Sequence, residues 1–182
     1  MSHLIKYTSG DLFQVALKST SIKEGPIIIG HACNCLGFWG GGIAPIFKRK
    51  FPSTYRIYNN HCAKYSKDPS LLLGSSLVIP ISVKDPGFVK TVGERVLIVC
   101  LFTSIMGGED PEEIAENTQA ALLDLKKRLE NFEIEGDFTE YDSNNLAVLN
   151  IPKINAGIFN VPWELTEKSI IKSGLKTNVF VL

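Results

Sequence analysis

The sequence predicts an α/β fold: a three-layer α/β/α sandwich around a mixed, mostly parallel sheet of about six strands. Two apolar runs, 26–31 and 95–102, are almost continuously hydrophobic, which is typical of strands that are covered on both faces. Helical patterns alternate with the apolar runs, and the clearest of them begins at Pro111 with a regular apolar stripe. Strands that alternate with helices indicate this layered architecture.

Taken in order, the predicted strands are 4–7, 26–31, 77–80, 95–102, 146–151 and 177–182. The predicted helices are 13–17, 43–51, 52–65, a long helix from 111 and a closing helix 164–173. Pro45 and Pro111 suit a first helical turn, where the missing N–H removes no hydrogen bond. Since no repeat or linker divides the chain, we expect one domain over residues 1–182.

Composition and charge argue against several classes of protein. The chain has 182 residues, of which 45% are hydrophobic and 21% charged, as in an ordinary globular domain. Nineteen basic residues balance nineteen acidic ones, which argues against an extended nucleic-acid surface. The apolar runs are too short to span a bilayer, and the first residues lack a signal-peptide core. We therefore expect a protein of the cytoplasm, with the nucleus as a second compartment, and no direct nucleic-acid or membrane partner. As a separate expectation, we take the protein to be a monomer.

The four cysteines, Cys33, Cys35, Cys62 and Cys100, lack the paired Cys-x-x-Cys spacing of zinc sites. We therefore expect reduced thiols, with no metal site and no cofactor. Phosphate-binding motifs of the types Gly-x-x-x-x-Gly-Lys-Ser/Thr and Gly-x-Gly-x-x-Gly are absent as well. Their absence argues against the ATPases and dehydrogenases that carry these motifs.

Three chemically unusual loops, 31–45, 103–111 and 155–163, each follow a predicted strand. The first contains His31, Asn34 and three consecutive glycines, which suggests a backbone that passes very close to another group. In a parallel sheet these loops converge at the carboxyl edge, where α/β proteins bind ligands. Backbone amides at such an edge bind phosphate, so the sequence predicts a pocket for a phosphorylated nucleotide-like ligand.

Three motifs in these regions resemble the macrodomain family, whose members are ADP-ribose-binding α/β modules. The motifs are Gly10-Asp11-Leu12, Asn34 with Gly40-Gly41-Gly42-Ile43-Ala44, and Asn155-Ala156-Gly157-Ile158-Phe159. Residues 31–44 and 154–163 look like the yeast-type branch, which removes the phosphate group from ADP-ribose 1''-phosphate, a by-product of tRNA splicing. The resemblance implies a macrodomain fold and a small-molecule substrate, ADP-ribose 1''-phosphate or ADP-ribose.

The resemblance also implies how such a ligand would be bound. Asp11 would accept a hydrogen bond from the adenine amino group, and Asn34 would bind the hydroxyls of the distal ribose. Backbone amides of Gly41, Gly42, Ile43, Gly157, Ile158 and Phe159 would hold the diphosphate without a metal or a basic side chain. The same pocket is expected to include Leu12, Trp39, Gly40, Ala44, Thr103, Asn155 and Ala156.

For catalysis, His31 is the candidate base or nucleophile, and Asp110 would orient it or protonate the leaving oxygen. In the branches that cleave ADP-ribose from proteins, an aspartate is typical just after the glycine run or after the Gly-x pair of the final loop. This chain has Ala44-Pro45 and Phe159 in those two places, so both aspartates are missing. We therefore expect a phosphatase. The alternatives are a non-catalytic ADP-ribose-binding module and a hydrolase of mono-ADP-ribosylated protein. Taken singly, Asp11 could be only a helix cap, and His31 only a structural residue.

Overall fold

The computed structural model describes residues 4–17, 25–136 and 148–182. The strands in these ranges are β1 (Ile5–Ser9), β2 (Ile27–Asn34), β3 (Ser76–Pro80), β4 (Val96–Ser104), β5 (Leu149–Ile151) and β6 (Thr177–Val181). The α-helices are α1 (Ala44–Lys50), α2 (Pro52–Ala63), α3 (Pro111–Glu130) and α4 (Trp163–Ser173). Short 3-10 helices cover Leu12–Ala16, Pro69–Leu72 and Gly93–Arg95.

All six strands belong to one sheet, in the order β1-β6-β5-β2-β4-β3. Every neighbouring pair is parallel except β3 and β4, which run antiparallel. This confirms the predicted mixed, mostly parallel sheet. Because β2, β4 and β5 run in the same direction, the three unusual loops leave the sheet at one edge.

Hydrophobic cores lie on both faces of the sheet, and the fully buried strand β4 contributes to both. Ile98, Cys100 and Phe102 face the core that includes Phe47 of α1 and Tyr58 of α2. The alternate residues Leu97, Val99 and Leu101 face the core formed with α3 and α4. The period of two along β4 therefore produces the predicted three layers.

Several boundaries differ from the sequence prediction for local reasons. Strand β2 continues past the apolar run to Asn34, with an irregular register at Cys33 and Asn34. Helix α2 ends at Ala63 rather than at residue 65. Strand β5 begins at Leu149; the predicted start at 146–147 lies outside the described residues. Gly174 ends α4 in the left-handed conformation, with φ of 74°.

Within the three described ranges, no helix has both the length and the apolar character that crossing a membrane requires.

Candidate active site

A cavity of about 880 Å³ opens at the carboxyl edge of the sheet. It is lined by 10–13, 31–34, 38–44, 152–155, 157–159 and 180–182, together with Ile46 and Met106. These segments include the last residues of β2 and β6 and the chain that follows β1, β2 and β5. A cavity of this size suits a cofactor-sized ligand, and its position is the one that a parallel sheet favours for ligand binding.

The structure brings most of the predicted site residues together around this cavity. Those that line it are Asp11, Leu12, His31, Asn34, Trp39, Gly40, Gly41, Gly42, Ile43, Ala44, Asn155, Gly157, Ile158 and Phe159. Three predicted residues, Thr103, Ala156 and Asp110, are not part of the lining. Asp110 is exposed at the start of α3, and its side chain caps no helix amide.

Two glycine-containing loops, 40–43 and 157–159, approach each other across the cavity. A Cβ atom on Gly41 would lie only 2.4 Å from Ile158 Cδ1, so a side chain there would displace Ile158. Gly42 has a φ of 62°, a conformation that favours glycine. The close approach of these two loops therefore depends on glycine at positions 41 and 42.

The amides of these two loops are available to a ligand. Among the described residues, no acceptor receives a hydrogen bond from the amides of Gly41, Gly42, Ile43, Gly157, Ile158 or Phe159. Several unpaired N–H groups on two facing loops form a concave, electropositive surface without any charged side chain. The wall can therefore bind an anion such as a diphosphate.

Asn34 lies at the end of β2, and its side chain organises the turn that follows. Its Oδ1 accepts from the amides of Leu36 and Phe38 at 3.0 and 3.2 Å. Its Nδ2 donates to the Phe38 carbonyl oxygen at 2.6 Å, and the Tyr58 hydroxyl lies 2.9 Å from Oδ1. The amide is therefore fixed in orientation, while the second hydrogen on Nδ2 has no partner among these groups.

Asn155 is a buried anchor for the loop after β5. Its backbone adopts φ of 66°, and only 5% of the residue is exposed. Its Oδ1 accepts from the Thr103 hydroxyl at 2.8 Å, and its Nδ2 donates to Thr118 Oγ1 at 2.9 Å. Asn155 and Thr103 therefore hold the loop against β4 and α3, which explains why Thr103 supports the cavity without lining it.

His31 lies in the cavity wall, but only 1% of the residue is exposed. Its ring stacks on Phe47 with a centroid separation of 4.0 Å and meets Trp39 edge-on at 4.8 Å. Its Nε2 lies 3.5 Å from Cys33 Sγ. Burial raises the pKa of the Cys33 thiol, but its contacts with Cys100 and His31 outweigh that effect and lower the pKa.

The loop after β4 contributes less to the cavity than the sequence predicts, since only Met106 of residues 103–111 lines it. Glu109 holds this loop in place by accepting from the Ile105 amide at 2.8 Å and from the Ser104 hydroxyl. The polar group beside the His31 ring is the Cys33 thiol, whereas Asp110 lies outside the cavity lining.

Sequence reasoning missed several residues of the lining. Lys153 is the second residue after β5, and its Nζ lies 5.9 Å from the centre of the Trp163 ring. Phe38 and Met106 are exposed apolar residues at the rim, and 180–182 complete the wall beside Asp11. Lys153 was detectable in principle, because it follows a predicted strand at the same edge as the other loops.

The Macro domain family model matches residues 31–170. Relatives named ADP-ribose 1''-phosphate phosphatase match nearly the whole chain. The protein from Debaryomyces hansenii is 46% identical and the one from Meyerozyma guilliermondii 42% identical, each over 98% of this chain. The alignments cover 99% and 98% of those two relatives.

Solved structures support the same fold. The macrodomain of DarG from Mycobacterium tuberculosis superposes with a TM-score of 0.63, at 19% identity, over 98% of this chain and 97% of its own. A macrodomain protein from Streptomyces coelicolor superposes with a TM-score of 0.62, at 17% identity, over 98% of this chain and 99% of its own. At these identities, the likeness is one of fold alone.

Proposed function

Because the chain belongs to the macrodomain family, we propose that it is a phosphatase that hydrolyses ADP-ribose 1''-phosphate to ADP-ribose and inorganic phosphate. Similarity to relatives named for this activity extends over the full chain at 41–46% identity. The substrate, an ADP-ribose-type molecule, binds in the cavity at the carboxyl edge of the sheet.

The observation that carries the proposal is the facing pair of loops with unpaired amides. Loops 40–43 and 157–159 hold the diphosphate through the amides of Gly41, Gly42, Ile43, Gly157, Ile158 and Phe159. Preorganised N–H groups stabilise negative charge without reorganisation, which explains how a chain of zero net charge binds a strongly anionic molecule.

At each end of the bound substrate, one polar side chain of the cavity forms hydrogen bonds with it. Asp11 accepts from the Phe13 amide through Oδ1 at 3.0 Å, and a carboxylate keeps further acceptor sites for the adenine amino group. Asn34 presents the remaining hydrogen of Nδ2 to the distal ribose hydroxyls. With adenine at Asp11 and ribose at Asn34, the 1''-phosphate lies near the His31 end of the cavity.

The catalytic roles of His31 and Asp110 stay predictions. The position of His31 in the cavity wall supports a role near the 1''-phosphate, although its ring is enclosed by Phe47 and Trp39. Asp110 gains no support from its position outside the cavity. If His31 is the base, His31→Asn lowers kcat by at least about 100-fold while ADP-ribose affinity is retained. Unchanged turnover in Asp110→Asn removes that residue from the mechanism.

Phosphate release from ADP-ribose 1''-phosphate tests the proposed activity. The untagged protein is incubated with the substrate without added metal, and phosphate and ADP-ribose are measured together. Equal amounts of both products support a phosphatase. Binding of ADP-ribose with no phosphate released would leave a non-catalytic binding module. A parallel incubation with mono-ADP-ribosylated protein tests the hydrolase alternative, for which ADP-ribose appears without phosphate.

A further inference from the structure

A compact cluster of metal-binding groups lies in the floor of the cavity. One ligand atom from each of His31, Cys33 and Cys100 lies within 4.8 Å of the other two, and all three residues are buried. Strand register explains the cluster, because His31 pairs with Cys100 across β2 and β4, and Cys33 projects to the same face two residues further along. We propose that these three side chains form a binding site for Zn²⁺.

The donor set matches the coordination chemistry of zinc. Imidazole nitrogen and thiolate sulfur are its usual ligands, and three protein ligands leave one tetrahedral position open. Zn–N and Zn–S bond lengths place tetrahedral ligand atoms about 3.5–3.8 Å apart. The distance from His31 Nε2 to Cys33 Sγ is already 3.5 Å. As the two Zn–S bonds form, both thiols release their protons to solvent.

The surroundings of the cluster supply a second observation that points to a bound thiolate complex. Trp39 is 3% exposed, and its Nε1 is a buried donor with no hydrogen-bond partner in the described part of the chain. The indole faces the Cys33 thiol, which is a weak acceptor, and its ring meets the His31 ring edge-on. A metal-bound sulfur would accept a hydrogen bond from this indole N–H. Groups around a metal site commonly form such hydrogen bonds with the ligands of the ion.

The cluster also has a route for the ion and room for a fourth ligand. His31 and Cys33 both line the cavity and Cys100 lies directly behind them, so the cluster borders a space that opens to solvent. A fourth ligand reaching the ion from the cavity side would be a water molecule or an anionic oxygen. The spacing of the cysteines in the sequence does not reveal this cluster, because Cys33 lies on β2 and Cys100 on β4.

Bound zinc would affect the reaction if His31 acts in it, since the ion occupies the imidazole nitrogen. We expect Zn²⁺ to inhibit phosphate release, a consequence that rests on the proposed function. The binding itself does not rest on it and is measured separately.

Cobalt, which substitutes for zinc and absorbs light, tests the site directly. The untagged protein is titrated with Co²⁺ under a non-thiol reductant, and Zn²⁺ is then added. We expect one Co²⁺ per chain, a sulfur-to-cobalt charge-transfer band, and loss of that band when Zn²⁺ displaces the cobalt. A cobalt spectrum without thiolate bands would overturn the proposal.

Matched variants assign the ligands. Cys33→Ala and Cys100→Ala should each bind the metal ion at least about 100-fold more weakly. Removing a group that only hydrogen-bonds to a metal ligand already lowers metal affinity about 10- to 100-fold, and these variants remove a ligand itself. Cys62→Ala removes an equally buried thiol outside the cluster and should bind as the unaltered protein does. Wild-type affinity in both cluster variants would contradict the site.

A measurement on the unaltered protein keeps the test decisive if a variant does not fold. Crystals soaked in Zn²⁺ should show an anomalous scattering peak between His31 Nε2 and the two sulfur atoms. A peak at the surface alone, with none at this position, would refute the proposal whatever the variants do.

Discussion

At the scale of single residues, Gly41 sets the distance between the two anion-binding loops. A Cβ atom placed there would lie 2.4 Å from Ile158 Cδ1, the far end of a side chain that is 64% exposed. The collision can be relieved by movement of Ile158, so the folded state should tolerate alanine. The displaced side chain, however, shifts the wall whose amides face the ligand.

Gly41→Ala should therefore weaken ADP-ribose binding by about 10-fold, with little change in the free energy of unfolding, since about 1.4 kcal/mol corresponds to that factor. The measurement is calorimetric titration with ADP-ribose, beside urea denaturation. In an Ile158→Ala background the same change should cost clearly less, because the colliding atom is gone. An equal loss in both backgrounds would show that the contact does not matter.

At the scale of elements, α2 fixes the end of β2, where the predicted ribose contact lies. The Tyr58 hydroxyl donates to the Asn34 carbonyl oxygen at 2.8 Å and lies 2.9 Å from Asn34 Oδ1. Burial is the main reason that the pKa of Tyr58 is raised, so the hydroxyl stays protonated and remains a donor. The helix therefore orients Asn34 through one fully buried side chain.

Tyr58→Phe should lower the free energy of unfolding by about 1 kcal/mol and weaken ADP-ribose binding, because Asn34 loses its fixed orientation. Tyr55→Phe is the matched control, since its hydroxyl donates to the Gly37 carbonyl oxygen at 3.0 Å and not to Asn34. Denaturation and titration of both variants check the prediction. It fails if Tyr58→Phe binds ADP-ribose as tightly as Tyr55→Phe.

The elements also show how far the sequence could predict this site. Apolar runs identified the strands, and the convergence of loops at one edge followed from parallel pairing. The extension of β2 to Asn34 could not be predicted, because His31 and Asn34 interrupt the apolar pattern. Likewise, the thiols near His31 depend on strand register, which pairs His31 with Cys100, while Asp110 lies at an exposed helix start.

At the scale of the whole molecule, charge is balanced, and the cavity relies on amides rather than on basic side chains. Nineteen basic residues offset nineteen acidic ones, so no strong overall field attracts an anionic substrate. Lys153 is a basic side chain in the cavity lining, and its exposed position limits its contribution. Recognition should therefore depend only weakly on ionic strength.

Lys153→Gln should raise KM for ADP-ribose 1''-phosphate about 2- to 5-fold with kcat unchanged, as expected for an exposed charge contact. The difference from the unaltered protein should shrink at high salt, because salt screens such a contact. Lys67→Gln, an exposed lysine outside the cavity, is the control. Steady-state kinetics at two salt concentrations check this, and a kcat effect alone would contradict it.

The most direct measurement of the central claim follows the phosphorus nuclei of the substrate during the reaction. In a ³¹P spectrum of ADP-ribose 1''-phosphate with the protein, the monoester signal should convert to inorganic phosphate while the two diphosphate signals persist as those of ADP-ribose. Excess ADP-ribose should slow the conversion, since it competes for the same cavity. A monoester signal that stays unchanged while ADP-ribose binds, or loss of the diphosphate signals instead, would contradict the proposed phosphatase.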